Sequence, residues 1–292
     1  MTLDQIKTFL HIVRYGSVRA AAEQMHVTQP ALSARLAALE ESLSTPLFER
    51  RANGLVLTKS GADLVPYAQQ MVDLSGRIRN EITPQDQLTG LLRIGAAETI
   101  AQAWLPDLVS AVQARYPAIT IEVSVDISLN LRDQLLDRSV DLALLMGPIS
   151  EYSIENVDLP SFELDWFASS DACSKDATNP GLVPVITYAR NTRPFREVRT
   201  ELRTRYGPGV RMFPSSSLSA CFEMVAAGLG VGVLPSRLAA ERVAAGRLCT
   251  FDPGWSVSPL RFTASYLAEP MNRIAQEAAQ IAQAVAVNDR NN

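Results

Sequence analysis

Histidine is almost missing from this chain: among 292 residues there are only His11 and His26, both in the first sixty. Residues 91–292 hold none, so a Ser-His-Asp triad, a Cys-His pair or a histidine-based metal site cannot be assembled there. Cysteine is scarce as well. Cys173, Cys221 and Cys249 are odd in number and lie 48 and 28 residues apart, which fits buried, reduced thiols better than a disulfide framework. No cationic cluster surrounds any of them, which argues against a thiol sensor. No apolar run approaches 18 residues, so no membrane helix and no membrane partner are expected. The opening "MTLDQIKTFLHIVRYG" is amphipathic, carries Asp4 and lacks a small-residue cleavage site, and is therefore not read as a signal peptide. "GLGVG" (228–232) lacks the preceding strand and following helix of a dinucleotide loop, and Gly228 reads as a helix C-cap. Catalytic residues, cofactors and metal ligands are not assigned.

What is present is ordinary in bulk and uneven in detail. Hydrophobic residues make up 47% and charged residues 20%, so the chain folds, and its length suits two domains. The net charge of −4 divides unevenly. Residues 1–61 hold seven Lys and Arg against five Asp and Glu, +2, leaving −6 for the rest. That asymmetry marks the N-terminal end as the place for nucleic acid, without identifying a binder by itself.

Ile6, Phe9, Leu10 and Val13 recur at helical spacing and predict a first helix ending near Gly16. Ser17 caps a short second helix whose Ala20, Ala21 and Ala22 allow close approach, and His26 and Val27 form a turn. Thr28 caps a third, with Pro30 in its first turn and Leu32, Leu36, Leu39 and Leu43 as its buried stripe. Gln29, Ser33 and Arg35 are left for the outer surface. Gln can bond adenine and Arg guanine bidentately, so such a helix suits the major groove, although a solvated face is the plainer alternative. "LFERRANGLVLT" then predicts a hairpin turning at Asn53-Gly54, a wing that places Arg50 and Arg51 against phosphates.

The run from Phe9 to Gly61, with its small-residue second helix, Thr-Gln-Pro-Ala-Leu-Ser start, Leu-Glu pair and Leu-Phe-Glu-Arg wing entry, resembles the N-terminal signature of LysR-type transcriptional regulators. The resemblance implies a bacterial, cytoplasmic regulator that binds double-stranded promoter DNA and meets RNA polymerase. Its DNA-facing set is Ser17, Thr28, Gln29, Pro30, Ser33 and Arg35, with Arg50 and Arg51 on the wing and Lys59 after it. Two departures stand out: Ser44 replaces a usual Gly, and Ala34-Arg35 replaces a commoner Arg-then-polar order.

A long helix is expected from Lys59 to about Ile82. Leu57, Gly61, Leu64, Ala68, Met71, Ser75, Ile78 and Ile82 step by four and three, a seam that asks for a partner helix, although it is weak and interrupted by Pro66. The resemblance makes this the dimerisation helix, through Leu64, Ala68, Met71, Ser75, Ile78 and Ile82, of a homodimer or a tetramer of dimers. "TPQDQLTG" (83–90) reads as a hinge.

From Leu91 short apolar runs alternate with amphipathic helices, which predicts an α/β sheet with crossovers. "LRIGA", "ITIEVSV" and "VDLALLMG" open a first lobe, and "WFAS", "VPVITYA", "VRMFP" and "LGVGVLP" form a second. The last strand and helix return to the first. Phrases such as "LRIGAAETIAQAWLP" and "MVAAGLGVGVLPS" resemble the LysR substrate-binding domain, itself similar to periplasmic binding proteins. The expected plan is an all-α winged helix-turn-helix (1–58), a linker helix and hinge (59–90), and a two-lobed α/β effector domain (91–292). Lobe I would take about 91–161 and 267–292, lobe II about 162–266, with crossings near 159–163 and 263–267. The resemblance places a small-molecule effector, anionic or zwitterionic, between the lobes. Counting along the family's strand-to-helix turns brings Glu98, Thr99, Ile100, Ser128 and Met146 to it, with Arg190 as a carboxylate clamp. Simple helix capping is the plainer role for Thr99 and Ser128, and a solvated basic run for Arg190. Glu98 would repel an anion or receive the amine of a zwitterion.

Overall fold

The computed structural model describes residues 1–51, 54–82, 88–174, 177–269 and 272–291. It divides into two compact units, 1–85 and 86–292.

The first unit opens with α1 (Leu3–Tyr15), α2 (Val18–Gln24) and α3 (Gln29–Leu43). Each start is capped by a side chain: Thr2 in a capping box with Gln5, Ser17 accepting from the Ala20 N–H, and Thr28 accepting from the Ala31 N–H. Gly16 ends α1 at φ 70°, a left-handed value that glycine adopts freely. The core pairs Ile6, Phe9 and Leu39 on one side with Ile12, Ala21, Ala22 and Leu32 on the other. Ile12, rather than Val13, takes the deeper place on α1, and Leu43, expected in the α3 stripe, is 36% exposed. Ser44 adopts φ 52° at the end of α3, the left-handed conformation for which the family's glycine would be the easier residue.

The hairpin follows as β1 (Phe48–Arg51) and β2 (Gly54–Leu57), antiparallel, with Arg51 opposite Gly54. Gly54 is therefore a strand residue instead of a turn residue, and Asn53 lies outside the described residues. Glu40 fixes the hairpin's entry, its carboxylate accepting the Leu47 N–H at 2.7 Å and the Phe48 N–H at 3.3 Å. Thr58 donates to the Pro46 carbonyl and caps α4 (Lys59–Ile82) through the Gly61 N–H. Gly61 has to be glycine, because a Cβ there would collide with the Leu47 carbonyl. Ala68 is fully buried, and Leu64, Val65 and Val72 pack on the same core. The first half of the expected seam is therefore spent inside this unit. Tyr67, Met71, Leu74 and Ile78 stand exposed instead, at steps of four, three and four. Ile82's side chain and hinge residues 83–87 lie outside the described residues.

The second unit holds two five-stranded sheets. The first is built from β3 (Gly90–Ala96), β4 (Ile119–Val125), β5 (Leu142–Met146) and β6 (Ile154–Phe162), with α5 (Glu98–Ala103), α6 (Leu105–Arg115) and α7 (Ser128–Leu136) between them. The chain then crosses between Phe162 and Leu164 into β7 (Leu164–Ser169), α8 (Ser170–Ser174), β8 (Val185–Tyr188), α9 (Arg193–Tyr206), β9 (Met212–Ser215), α10 (Leu218–Ala226), β10 (Val231–Pro235), α11 (Ser236–Ala244) and β11 (Leu248–Phe251). It returns as β12 (Leu260–Leu267) and α12 (Arg273–Asn291). The strand orders are β4-β3-β5-β12-β6 and β11-β7-β10-β8-β9. β12 pairs antiparallel with β5 and β6 from Leu260 onward. The return therefore falls within 252–259 and not near 263–267.

Gly228 follows α10 at φ 74° and leads into β10, which fits the reading of "GLGVG" as a helix end. β6 and β11 were not anticipated. β6 buries only Ile154, Leu159 and Phe162, and β11 is four residues long, so neither shows the alternation of a half-buried strand. A second difference concerns sulfur. Cys173 on α8 and Cys249 on β11 are joined by a disulfide, with Cα atoms 6.6 Å apart, whereas Cys221 is free and buried. Spacing along the chain carried no sign of this, because the two cysteines are 76 positions apart and are brought together by the β7–β11 pairing.

One ion pair ties the first sheet together. Arg93 on β3 holds Asp141 at the start of β5 bidentately, with both N–O distances 3.0 Å, and the Arg93 backbone N–H adds a third bond at 2.8 Å. Asn272, at the entry to α12, donates to the same carboxylate. The two side chains are only 15% and 12% exposed, so removing one partner strands a buried charge. Asp141→Ala is expected to lower stability by about 3–5 kcal/mol in denaturant unfolding of the full chain. A loss below about 1 kcal/mol would mean the pair is solvated.

Candidate functional site

In the first unit the polar residues expected to meet DNA gather at the start of α3 and beside it. Thr28, Gln29, Pro30 and Ser33 are exposed, Arg35 is half-buried, and Lys59 is exposed at the start of α4. The oxygens of Ser17 and Thr28 are engaged by backbone N–H groups of their helices, at 3.1 and 3.4 Å, leaving each hydroxyl proton to donate. Arg50 and Arg51 stand in β1; their side chains lie outside the described residues. A helix start with free polar side chains, followed by a hairpin, is what groove reading and phosphate contact require.

In the second unit a cavity of about 220 Å³ lies between the two sheets. Most of its walls are residues that close parallel strands or open the helices after them, with Leu260 and Phe262 added from the start of β12. β3 runs parallel to β4 and β5, and β8 to β9 and β10, so their C-terminal ends face one crevice. Glu98, Thr99, Ser128 and Met146 line it, as expected of them. Thr99 is only 5% exposed. Neither Thr99 nor Ser128 caps its helix, the cap positions being Ala97 and Ile127. The Ser128 hydroxyl oxygen instead accepts the Met146 N–H at 2.9 Å.

Two expected residues lie elsewhere. Ile100 is fully buried in the hydrophobic core and is not part of the lining. It is one position past Thr99, and one helical step turns it from the crevice toward the sheet. Arg190 is exposed and also outside the lining. Thr192 turns the chain back toward Ala189 and caps α9 through the Phe195 N–H, and the Arg190 guanidinium rests 6.0 Å from the centre of the Phe195 ring. Asp126, Tyr188, Ser215 and Cys221 line the cavity without having been anticipated. Tyr188 and Ser215 close β8 and β9, so strand ends were the usable sign for them.

Glu98 is the most heavily bonded group there. Its carboxylate reaches from the first sheet's α5 to the N-terminus of α10 in the second. It accepts the Leu218 N–H, the Ser219 N–H at 3.2 Å and the Ser217 hydroxyl at 3.3 Å. Gln102 braces it at 3.1 Å and bonds Ser219 Oγ at 2.9 Å. An anion on exposed N-terminal N–H groups is favourable, and here the protein supplies its own. Burial, with a smaller contribution from Glu98, pushes the Cys221 thiol up to about 11, so it stays protonated at neutral pH. The Tyr188 hydroxyl is buried with no hydrogen-bond partner, and burial pushes its pKa well above the usual phenol value. Tyr188→Phe removes this unbonded group, so the melting midpoint of the full chain should stay level or rise. A loss above about 1 kcal/mol would show that the hydroxyl is bonded after all.

Comparison with known proteins agrees with this geometry at both ends. Residues 3–62 match the model for the bacterial regulatory helix-turn-helix of the lysR family, and residues 85–286 match the LysR substrate binding domain. The HTH-type transcriptional regulator YofA of Bacillus subtilis is 28% identical over 235 residues, 80% of this chain and 81% of that protein. Full-length CbnR complexed with its target DNA superposes with a TM-score of 0.64 at 20% identity, over 98% of this chain and 100% of that one. LysG of Corynebacterium glutamicum with bound effector Arg gives 0.61 at 20% identity, over 99% of each chain. The family models together span nearly the whole sequence, and the chain belongs to the LysR family of DNA-binding transcriptional regulators, with a helix-turn-helix and an effector-binding domain.

Proposed function

We propose that this regulator reads its operator with α3 as a homodimer joined through α4, and that a small polar effector bound in the cavity between its two sheets sets its activity. The observation that carries the reading is the cavity itself. It lies at the C-terminal ends of parallel strands from both sheets, the position where open α/β folds take ligands, so closure of the lobes can depend on what fills it. The solved complexes of CbnR with DNA and of LysG with arginine support the same division of labour.

On the DNA side, Gln29 and Ser33 are exposed where α3 begins and are assigned to base edges, with Arg35 beside them. Ser17, Thr28, Pro30, Arg50, Arg51 and Lys59 are assigned to the backbone. Gln29→Ala is expected to reduce discrimination between operator and a mismatched duplex by about 1–3 kcal/mol in competition binding. An unchanged ratio would place the reader on another element.

The interface assigned to α4 follows exposure in place of the seam read from spacing. Tyr67, Met71, Leu74 and Ile78 are 65%, 37%, 46% and 50% exposed, an apolar stripe that water does not favour and a second copy would cover. Met71→Glu puts a charge in this stripe. Sedimentation at micromolar concentration should then show monomers with weakened operator binding, and an intact dimer would move the interface elsewhere.

A further inference from the structure

We propose that the effector carries a protonated amine, taken up in the inter-sheet cavity by the carboxylates of Glu98 and Asp126. This rests on the reading of the cavity as the effector site and adds the class of ligand.

The first observation is charge. Among the described residues, the lining contains no Lys, Arg or His, and its two ionisable acids are Glu98 and Asp126. The cation that sequence spacing offered, Arg190, stacks on Phe195 outside the wall. A ligand whose only charge is negative would enter a small cavity holding two like charges and no counter-charge, which disfavours it strongly.

The second observation concerns where an anion could go. The N-terminus of α10 is the natural anion position, and Glu98 occupies it with two backbone N–H groups and a hydroxyl. An incoming carboxylate would evict a carboxylate, gaining no net hydrogen bond and leaving the displaced charge beside it. Glu98, in contrast, keeps capacity for a donor. Its Oε2 accepts from Leu218 N alone, and an ionised carboxylate oxygen has two acceptor positions. Asp126 is alike: Oδ1 takes the Ile127 N–H and Asn130, and Oδ2 takes only Gln134, at 3.3 Å.

The third observation is independent of the acids. The Tyr188 hydroxyl is buried and unbonded in the wall, a cost that a ligand polar atom would remove. The Ser128 hydroxyl, its oxygen bonded to Met146 N, keeps its proton to donate. Donors are thus available for a second, oxygen-bearing end of the ligand. Met146, Leu260 and Phe262 give an apolar side to the same cavity. Those features suit a short-chain amine or amino acid.

The test is calorimetry on the full-length protein with matched probes of three to six carbons: amino acids and diamines against mono- and dicarboxylates of the same chain length. At least one amine-bearing probe should bind, with its carboxylate counterpart at least tenfold weaker. Asp126→Asn should weaken the bound amine at least tenfold. Glu98→Gln should do the same, with the ligand-free melting midpoint reporting whether either variant remains folded. Ser216→Trp, which fills the cavity from its exposed edge, should abolish binding. A carboxylate binding as tightly as its amine partner overturns the ligand class and leaves the cavity as the site. Binding of no probe, or amine binding that survives both carboxylate variants, overturns the proposal. Amine binding that survives Ser216→Trp overturns the cavity reading beneath it.

Discussion

The carboxylate of Glu98 at the N-terminus of α10 is the contact on which the chemistry of the effector unit turns. α5 and α10 belong to different sheets, and the side chain between them satisfies N–H groups that a helix start cannot bond internally. Hydrogen bonds to a charged group contribute about 1.5–3 kcal/mol each, more than a neutral pair. The same contact joins the two lobes and, together with Asp126, makes the cavity wall acidic. A fold that elsewhere could present bare N–H groups to an anion here presents an acid. Cys221 feels that charge as well, since Glu98 adds to the burial that keeps its thiol protonated.

The cavity exists because the chain visits the first sheet twice. β12 inserts between β5 and β6, and α12 closes over the same sheet with Ile274, Ala275, Ala278 and Ala282 buried. The small residues let the helix approach closely, and Asn272 joins its entry to the Arg93–Asp141 pair. Residues 252–259 and the link between Phe162 and Leu164 are therefore the two crossings between the sheets. The disulfide between α8 and β11 braces the far edge of the second sheet, away from the residues that line the cavity. It stiffens a lobe without entering the site.

In the DNA-binding unit the wing is placed by a few specific contacts. Glu40 reaches the backbone of Leu47 and Phe48, Thr58 bonds Pro46, and Gly61 lets α4 pass the Leu47 carbonyl. These contacts give Glu40 of the Leu-Glu pair, Thr58 and Gly61 their structural roles: they hold α3, the hairpin and α4 together. The same packing consumes Ala68 and Leu64. The outer stripe of α4, Tyr67, Met71, Leu74 and Ile78, is left exposed.

How much of this was legible in the sequence follows from the range of the forces involved. Caps, helix starts and the left-handed turn at Gly16 depend on neighbours within four residues, and Ser17, Thr28 and Gly16 announced them. The family signature carried both domains, and strand-to-helix turns located Glu98, Thr99, Ser128 and Met146 in the cavity wall. What spacing could not supply depended on residues far apart in the chain. Spacing offered a heptad seam on α4, but Leu64 and Ala68 pack inward on α1 and the hairpin, and Tyr67 and Leu74, outside that seam, stand exposed. Arg190 had the chemistry of a clamp, yet Phe195 and the cap of α9 turn it outward. Cys173 and Cys249 meet only because β11 pairs with β7. Glu98 could be read as repelling an anion or receiving an amine, and its bonding to α10, 120 residues away, was invisible until the two sheets were set together. Local sequence determined most of the elements and the family; the meeting of distant strands and helices decided the charge of the cavity wall, because electrostatics in a cavity depends on every wall at once.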